Sequence, residues 1–256
     1  MPHCTLPPVL HTRDANRRML RQTLCCLLFI RTNALKAPNA SKTLATRARG
    51  AGAVVAVSGA ALVAVSIDVN TLHVVAPSID DAARTWASNH AAGNENSLGR
   101  VLSDIAPGLG VPCAAASLAL VARRGADALR IVAPLGVGFG AFVQGLSGVL
   151  KDATQRIRPD PLHHSTFSFP SSHTASATFL AGAFLAVLVP ALLDDDDEDF
   201  WRWTPQTITS VAGITALTAT GRILTESHFL SDTLAGAALG IGALGATALV
   251  SSRSNG

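Results

Sequence analysis

Three short polar motifs between Lys151 and Asp232 carry residue types that can do chemistry together. Lys151 and Arg158 precede Pro159; Pro170-Ser171-Ser172-His173 follows; then come Gly221-Arg222, five residues, His228, three residues and Asp232. Arginine offers paired donors and lysine a point charge, a combination that suits a dianionic phosphate. Lys151 and Arg158 are seven residues apart, so a helix continuing to Pro159 would carry both on nearly one face. Pro170 to His173 opens an apolar run, where unpaired N–H groups and the hydroxyls of Ser171 and Ser172 form an anion site and His173 stands next as a proton donor. His228 and Asp232 are spaced i, i+4 at the start of another apolar run. On a helix the carboxylate takes the proton of one ring nitrogen and leaves the other facing the site, which makes imidazole a nucleophile. Taken singly, the first motif also suits cations anchoring a membrane span, and the second a serine-rich helix cap.

The elements that must hold these motifs are apolar. Of 256 residues 48% are hydrophobic and 14% charged, with mean hydropathy +0.36, whereas a soluble domain carries about 25% charged residues. The chain is predicted to be an all-α integral membrane bundle of about six transmembrane helices. Apolar runs lie at 51–67, 105–121, 128–150, 173–193, 206–223 and 234–250. Small residues such as Gly136, Gly140, Gly236 and Gly240 let membrane helices approach closely. The stretch 68–104, with Asp80, Asp81 and Arg84, is too polar for lipid and is expected at the interface or surface. The acidic run Asp194–Asp199 reads as a solvated turn, with Trp201 and Trp203 in the headgroup layer.

Charge is concentrated at one end. Residues 1–49 hold nine Lys or Arg, seven Ser or Thr and one acid, Asp14. That composition suits an organellar transit peptide or a basic tail on the positive side of the first span, with residues 50–256 as the membrane-embedded domain. The remaining eleven basic and sixteen acidic residues leave no basic face for nucleic acid. The four cysteines form no C-x-x-C pair and indicate neither a disulfide framework nor a zinc site. His163 and His164, in the ten-residue loop between the first two motifs, are expected to be exposed loop residues. Arg47, Arg49, Arg123 and Arg124 place the tail and the turn at 123–124 on the cytosolic, stromal or matrix side, and the three motifs on the other.

In order and spacing the motifs resemble those of the type 2 phosphatidic acid phosphatase superfamily, whose pattern is K-x6-R-P, P-S-G-H and S-R-x5-H-x3-D. The superfamily includes lipid phosphate phosphatases, polyprenyl-diphosphate phosphatases and vanadium haloperoxidases; the last are larger and soluble. The resemblance covers roughly residues 51–250. It implies His228 as the nucleophile that becomes a phosphohistidine, Asp232 as the group orienting it, and His173 as the acid for the leaving alcohol. It further implies Lys151, Arg158, Ser171, Ser172 and Arg222 as phosphate ligands, with no metal or cofactor. Ser172 stands where the family has glycine, and its side chain is expected to crowd the pocket or shift substrate choice; Gly221 stands where the family has serine, a change expected to be minor. The function implied is hydrolysis of a lipid phosphate monoester such as phosphatidate in a chloroplast envelope, another organelle membrane or the endoplasmic reticulum. Alternatives are a polyprenyl diphosphate phosphatase and an inactive lipid-binding membrane protein.

Overall fold

In the computed structural model the described residues are 40–90, 92–93, 96–193 and 201–253. The basic segment up to residue 39 and the acidic run Asp194–Asp199 lie outside them. From Leu44 onward the described residues form one compact body. The described residues form helices and no strand: α1 (Ala40–Ile67, extended by a π turn at Asp68–Leu72), α2 (Ala76–Ser88), α3 (Ser97–Ser103) and α4 (Ile105–Arg124). Then follow α5 (Leu129–Val137), a π stretch (Gly138–Leu146), α6 (Ser147–Thr154), α7 (Ser172–Ala183), a second π turn (Phe184–Leu188), α8 (Val189–Leu193), α9 (Pro205–Leu224) and α10 (Leu230–Arg253).

Four helical stretches are long and apolar enough to cross a membrane: Gly50–Leu72, Ser97–Thr154, Ser172–Leu193 and Leu230–Ser251. The second doubles back. Along α4 the partners climb the chain of α7 and α8, Cys113 Sγ donating to Leu180 O and Arg124 to Ala191 O. After the 3-10 turn Gly125–Ala128 they descend it, Gln144 bonding Ser176 and Ser147 bonding Ser172. Gly125 ends α4 at φ 57°, a conformation that suits glycine. The fifth expected run, α9, forms a helix of 20 residues but falls outside the four. Its five threonines and Arg222 lower its apolarity, and it packs against α3 and α7. It runs opposite to α7, since Thr215 meets Thr178 while Gly221 meets α3. With α1 lying against α10 through Ser58 and Gly242, the path makes six passages between two ends, and 155–171 and 225–229 return at the same end.

The middle of the bundle is α7. Thr174 to Phe179 and Ala181 to Ala183 are buried, the many small Ala, Ser, Thr and Gly side chains letting neighbouring helices close on it from several sides. Phe179 belongs to one buried cluster with Leu120, Ile131, Leu135, Val143 and Leu244. Around α1, by contrast, Val57, Val63 and Ile67 are exposed, as lipid-facing residues are. Glycines set the closest approaches: a Cβ on Gly236 would strike the backbone of Ser171 and Ala175, and one on Gly240 the carbonyl of Ala175. These two positions bring α10 against the start of α7.

The topology has a direct check. Ala126→Cys and Ser165→Cys, each in a background with the native cysteines replaced, should react with a membrane-impermeant thiol reagent from opposite sides of sealed vesicles. Labelling of both from one side would contradict the path.

Candidate active site

Each motif comes to the shared end of the bundle by a different local device. Ser171 is the N-cap of α7: its hydroxyl accepts from Thr174 N (3.4 Å) and from the Thr174 hydroxyl (3.0 Å), a capping role worth about 1 kcal/mol. Its own N–H donates to the Asp232 carbonyl (3.0 Å). The N–H groups of Ser172 and His173 are then the first-turn donors that a helix start presents to an anion. The hydroxyl of Ser172 is occupied by Ser147 of α6, 2.7 Å away. The residue in place of the family's glycine is thus tied to a neighbouring helix, and its side chain is spent there.

Lys151 and Arg158 meet the site, but not as two points on one helix. The helix ends at Thr154, four residues before Arg158, and Gln155 is left-handed at φ 47°. Residues before proline are driven out of the α region, and here the departure begins earlier because the strand of chain after Gln155 pairs with the returning loop: Ser168 N donates to Arg156 O (2.8 Å). Lys151 Nζ donates to Phe167 O (2.8 Å). Arg158 donates through Nε to Thr166 O (2.7 Å), through Nη2 to Thr166 Oγ1 (2.8 Å) and through Nη1 to Ser227 O (2.8 Å).

The third motif also differs from a simple helical pair. His228 precedes α10, and its Nδ1 lies 3.6 Å from Asp232 Oδ2, longer than a hydrogen bond. That oxygen instead accepts the Phe229 N–H (2.9 Å), as the third helical residue does in a capping box. The other imidazole nitrogen, Nε2, stands 3.1 Å from Arg158 Nη1. His228 is buried, and its Nδ1 has no hydrogen-bond partner among the described residues. Burial first, then the charges of Arg222, Arg158 and Lys151, hold its pKa well below the usual 6.5, so the ring is neutral at pH 7.

Arg222 lies on α9 with its Nε buried and without a partner among the described residues. No described carboxylate pairs with Lys151, Arg158 or Arg222. Buried donors without partners call for a ligand, and three cations beside a neutral imidazole suit a phosphate. Gly221, expected to be a minor change, has a steric reason: a Cβ there would lie 2.5 Å from Ser103 N, so α9 can sit on α3 only without a side chain at this position.

His163 is exposed and pairs with Asp160 (2.6 Å). His164 departs from expectation: it is half-buried, with Nε2 3.0 Å from Ser227 Oγ, and burial, Arg158 and Arg222 lower its pKa. Two residues at the site were not foreseen. Arg156 donates to Asp232 Oδ1 (2.5 Å) and to Asp80 Oδ2 (2.7 Å), and Asp80 is itself buried. An arginine two before Arg158 and an acid in a polar stretch otherwise read as surface give no distinguishing periodicity.

A family model described as the PAP2 superfamily matches residues 132–255. Phosphatidylglycerophosphatase B of Bacillus subtilis is 35% identical over 100 residues, which are 38% of this chain and 46% of that protein. Among solved structures, a transmembrane PAP2-type phosphatidylglycerolphosphate phosphatase from Bacillus subtilis is similar at 23% identity and TM-score 0.53, over 73% of this chain and 92% of that one. The chain thus spans about half the length of the curated relative, and the structural likeness concerns the fold.

The charge around His228 predicts a titration with a definite sign. In 15N-histidine-labelled protein the ring should stay neutral well below pH 6.5. Arg158→Gln removes a cation that opposes protonation, so the midpoint should move upward. A midpoint that stays put or falls would contradict this electrostatic account.

Proposed function

Because the chain belongs to the PAP2 superfamily, we propose that it is a membrane-embedded hydrolase of lipid phosphate monoesters that works through a phosphohistidine on His228. The observation that carries this reading is the placement of the imidazole, with Nε2 3.1 Å from Arg158 and Nδ1 3.6 Å from Asp232. One nitrogen looks into the cation cluster and the other toward a carboxylate.

As Arg158 turns from Nε2 to a phosphoryl oxygen, the Nε2 lone pair attacks phosphorus, the ester P–O bond breaks, and His173, entering the step as the imidazolium, gives its proton to the departing alkoxide. Lys151, Arg158, Arg222 and the N–H groups at the start of α7 hold the phosphoryl oxygens, where charge builds in the transition state. Closure of the 3.6 Å between His228 Nδ1 and Asp232 Oδ2 to hydrogen-bond length stabilises the positive ring. Water then attacks phosphorus with His173 taking its proton, the P–N bond breaks, and inorganic phosphate leaves.

A lipid substrate is supported by where the site lies. Exposed Val74, Val75, Leu98, Val101, Ile157 and Leu162 belong to the segments at the site end of the bundle, so a headgroup can reach the cations while its chains stay in the membrane. The name of the curated relative favours phosphatidylglycerophosphate beside phosphatidate as the monoester. Residues 1–49 are proposed as an import signal for an organelle membrane, marked by a mature N-terminus beyond them.

Purified protein in detergent should release phosphate from phosphatidate or phosphatidylglycerophosphate with chelator present. His228→Ala should reduce the rate by at least about a thousandfold, since the covalent route is then closed. Preference for a polyprenyl diphosphate would replace the monoester reading; retention of about a tenth of the rate by His228→Ala would remove the covalent one.

A further inference from the structure

Asp232 is held by more than its own helix. Its Oδ2 takes the Phe229 N–H and faces His228, while its Oδ1 takes Arg156 Nη1. The same Nη1 donates to Ser231 Oγ (2.7 Å), and Nη2 donates to Asp80 Oδ2 (2.7 Å). Asp80 closes the ring: Oδ1 accepts Ser231 N (2.8 Å) and Oδ2 accepts the Ser231 hydroxyl (2.7 Å). The guanidinium carbon of Arg156 lies 4.1 Å from the centre of the Phe229 ring, one residue from His228. Two carboxylates, one guanidinium and one serine from three separate segments thus satisfy one another where Asp80 and Asp232 are almost wholly buried.

We propose that Arg156 and Asp80 are positioning residues for the reaction: together they turn the Asp232 carboxylate toward His228 and keep it off the phosphate-binding cations. This rests on His228 and Asp232 acting as described above. The second half of the proposal follows from charge. Asp232 is close enough to Lys151 and Arg158 for its charge to be felt at both, and an unrestrained carboxylate would compete with phosphate for them. Arg156 takes one oxygen and fixes the plane of the other. A planar fork reaching two carboxylates and a hydroxyl is a task for arginine rather than lysine. Asp80 in turn fixes the fork, so α2, at the periphery of the bundle, becomes part of the site.

Kinetics separate this role from a merely structural one. Arg156→Met should lower kcat by about a hundredfold, the scale of an ångström's misplacement, and Asp80→Asn by about tenfold. KM should rise in Arg156→Met, where the freed carboxylate competes with phosphate for Lys151 and Arg158, and change less than about threefold in Asp80→Asn, where Arg156 still holds Asp232. In an Asp232→Asn background, Arg156→Met should cost less than about threefold further, since its effect passes through the carboxylate. Full multiplicativity of the two losses, or an Arg156→Met enzyme with unchanged kcat, would overturn the proposal. If Arg156→Met does not fold, the cycle of Asp80→Asn with Asp232→Asn decides in the same way. His228→Ala is measured alongside: activity surviving in it defeats the phosphohistidine reading, whereas its loss together with a fully active Arg156→Met defeats only the clamp.

Discussion

The hydrogen bond from Ser171 N–H to the Asp232 carbonyl, 3.0 Å long, ties the start of α7 to the start of α10, and the site depends on it. It sets the helix start that presents N–H groups to an anion against the turn that carries His228. Its length is possible because Gly236, one turn after Asp232 on α10, lets the two backbones meet. Ser171 contributes its hydroxyl as the cap of α7 at the same time. One residue therefore ends a loop, begins a helix and registers the second motif against the third.

Around that junction the charges are divided into two groups. Arg156, Asp80 and Asp232 compensate one another, and taking one member from such a buried set costs about 3–5 kcal/mol because its partner is left charged and unpaired. Lys151 and Arg158 have carbonyls, a hydroxyl and the His228 ring nitrogen as partners, Arg222 Nε has none among the described residues, and the three lie around a neutral His228. Their mutual repulsion at the edge of a membrane is a cost that a bound phosphate relieves. The same charges that depress the imidazole's basicity leave it unprotonated at pH 7, with Nε2 accepting from Arg158 until a phosphate draws that donor away.

The helical bundle was legible from apolar run length alone, since α1, α4, the α5–α6 stretch, α7 and α10 fall where predominantly apolar runs of sufficient length lie. The three motifs were legible from residue type and spacing. Their local geometry was not. The helix after Lys151 stops at Thr154 because the chain beyond it bonds the returning loop, a tertiary contact no local pattern announces. His228 and Asp232 are four apart, yet the histidine sits before the helix and the carboxylate caps it. Asp80 lies 76 residues before Arg156 in a stretch whose polarity suggests a surface, and only the folded chain shows that one of those acids turns inward. Ser172 and Gly221 likewise gain their reasons from neighbours, Ser147 and the backbone of α3.

The central claim is that phosphorus passes through His228, and rapid-quench trapping tests it directly. Protein mixed with 32P-phosphatidate for milliseconds and quenched in alkali should carry label that is stable to base, lost in acid and located by peptide mapping to His228. It should be absent from His228→Ala and accumulate when His173 is replaced with a faster leaving group on the substrate. Turnover with no labelled protein at any time, or label on a different side chain, would contradict the account.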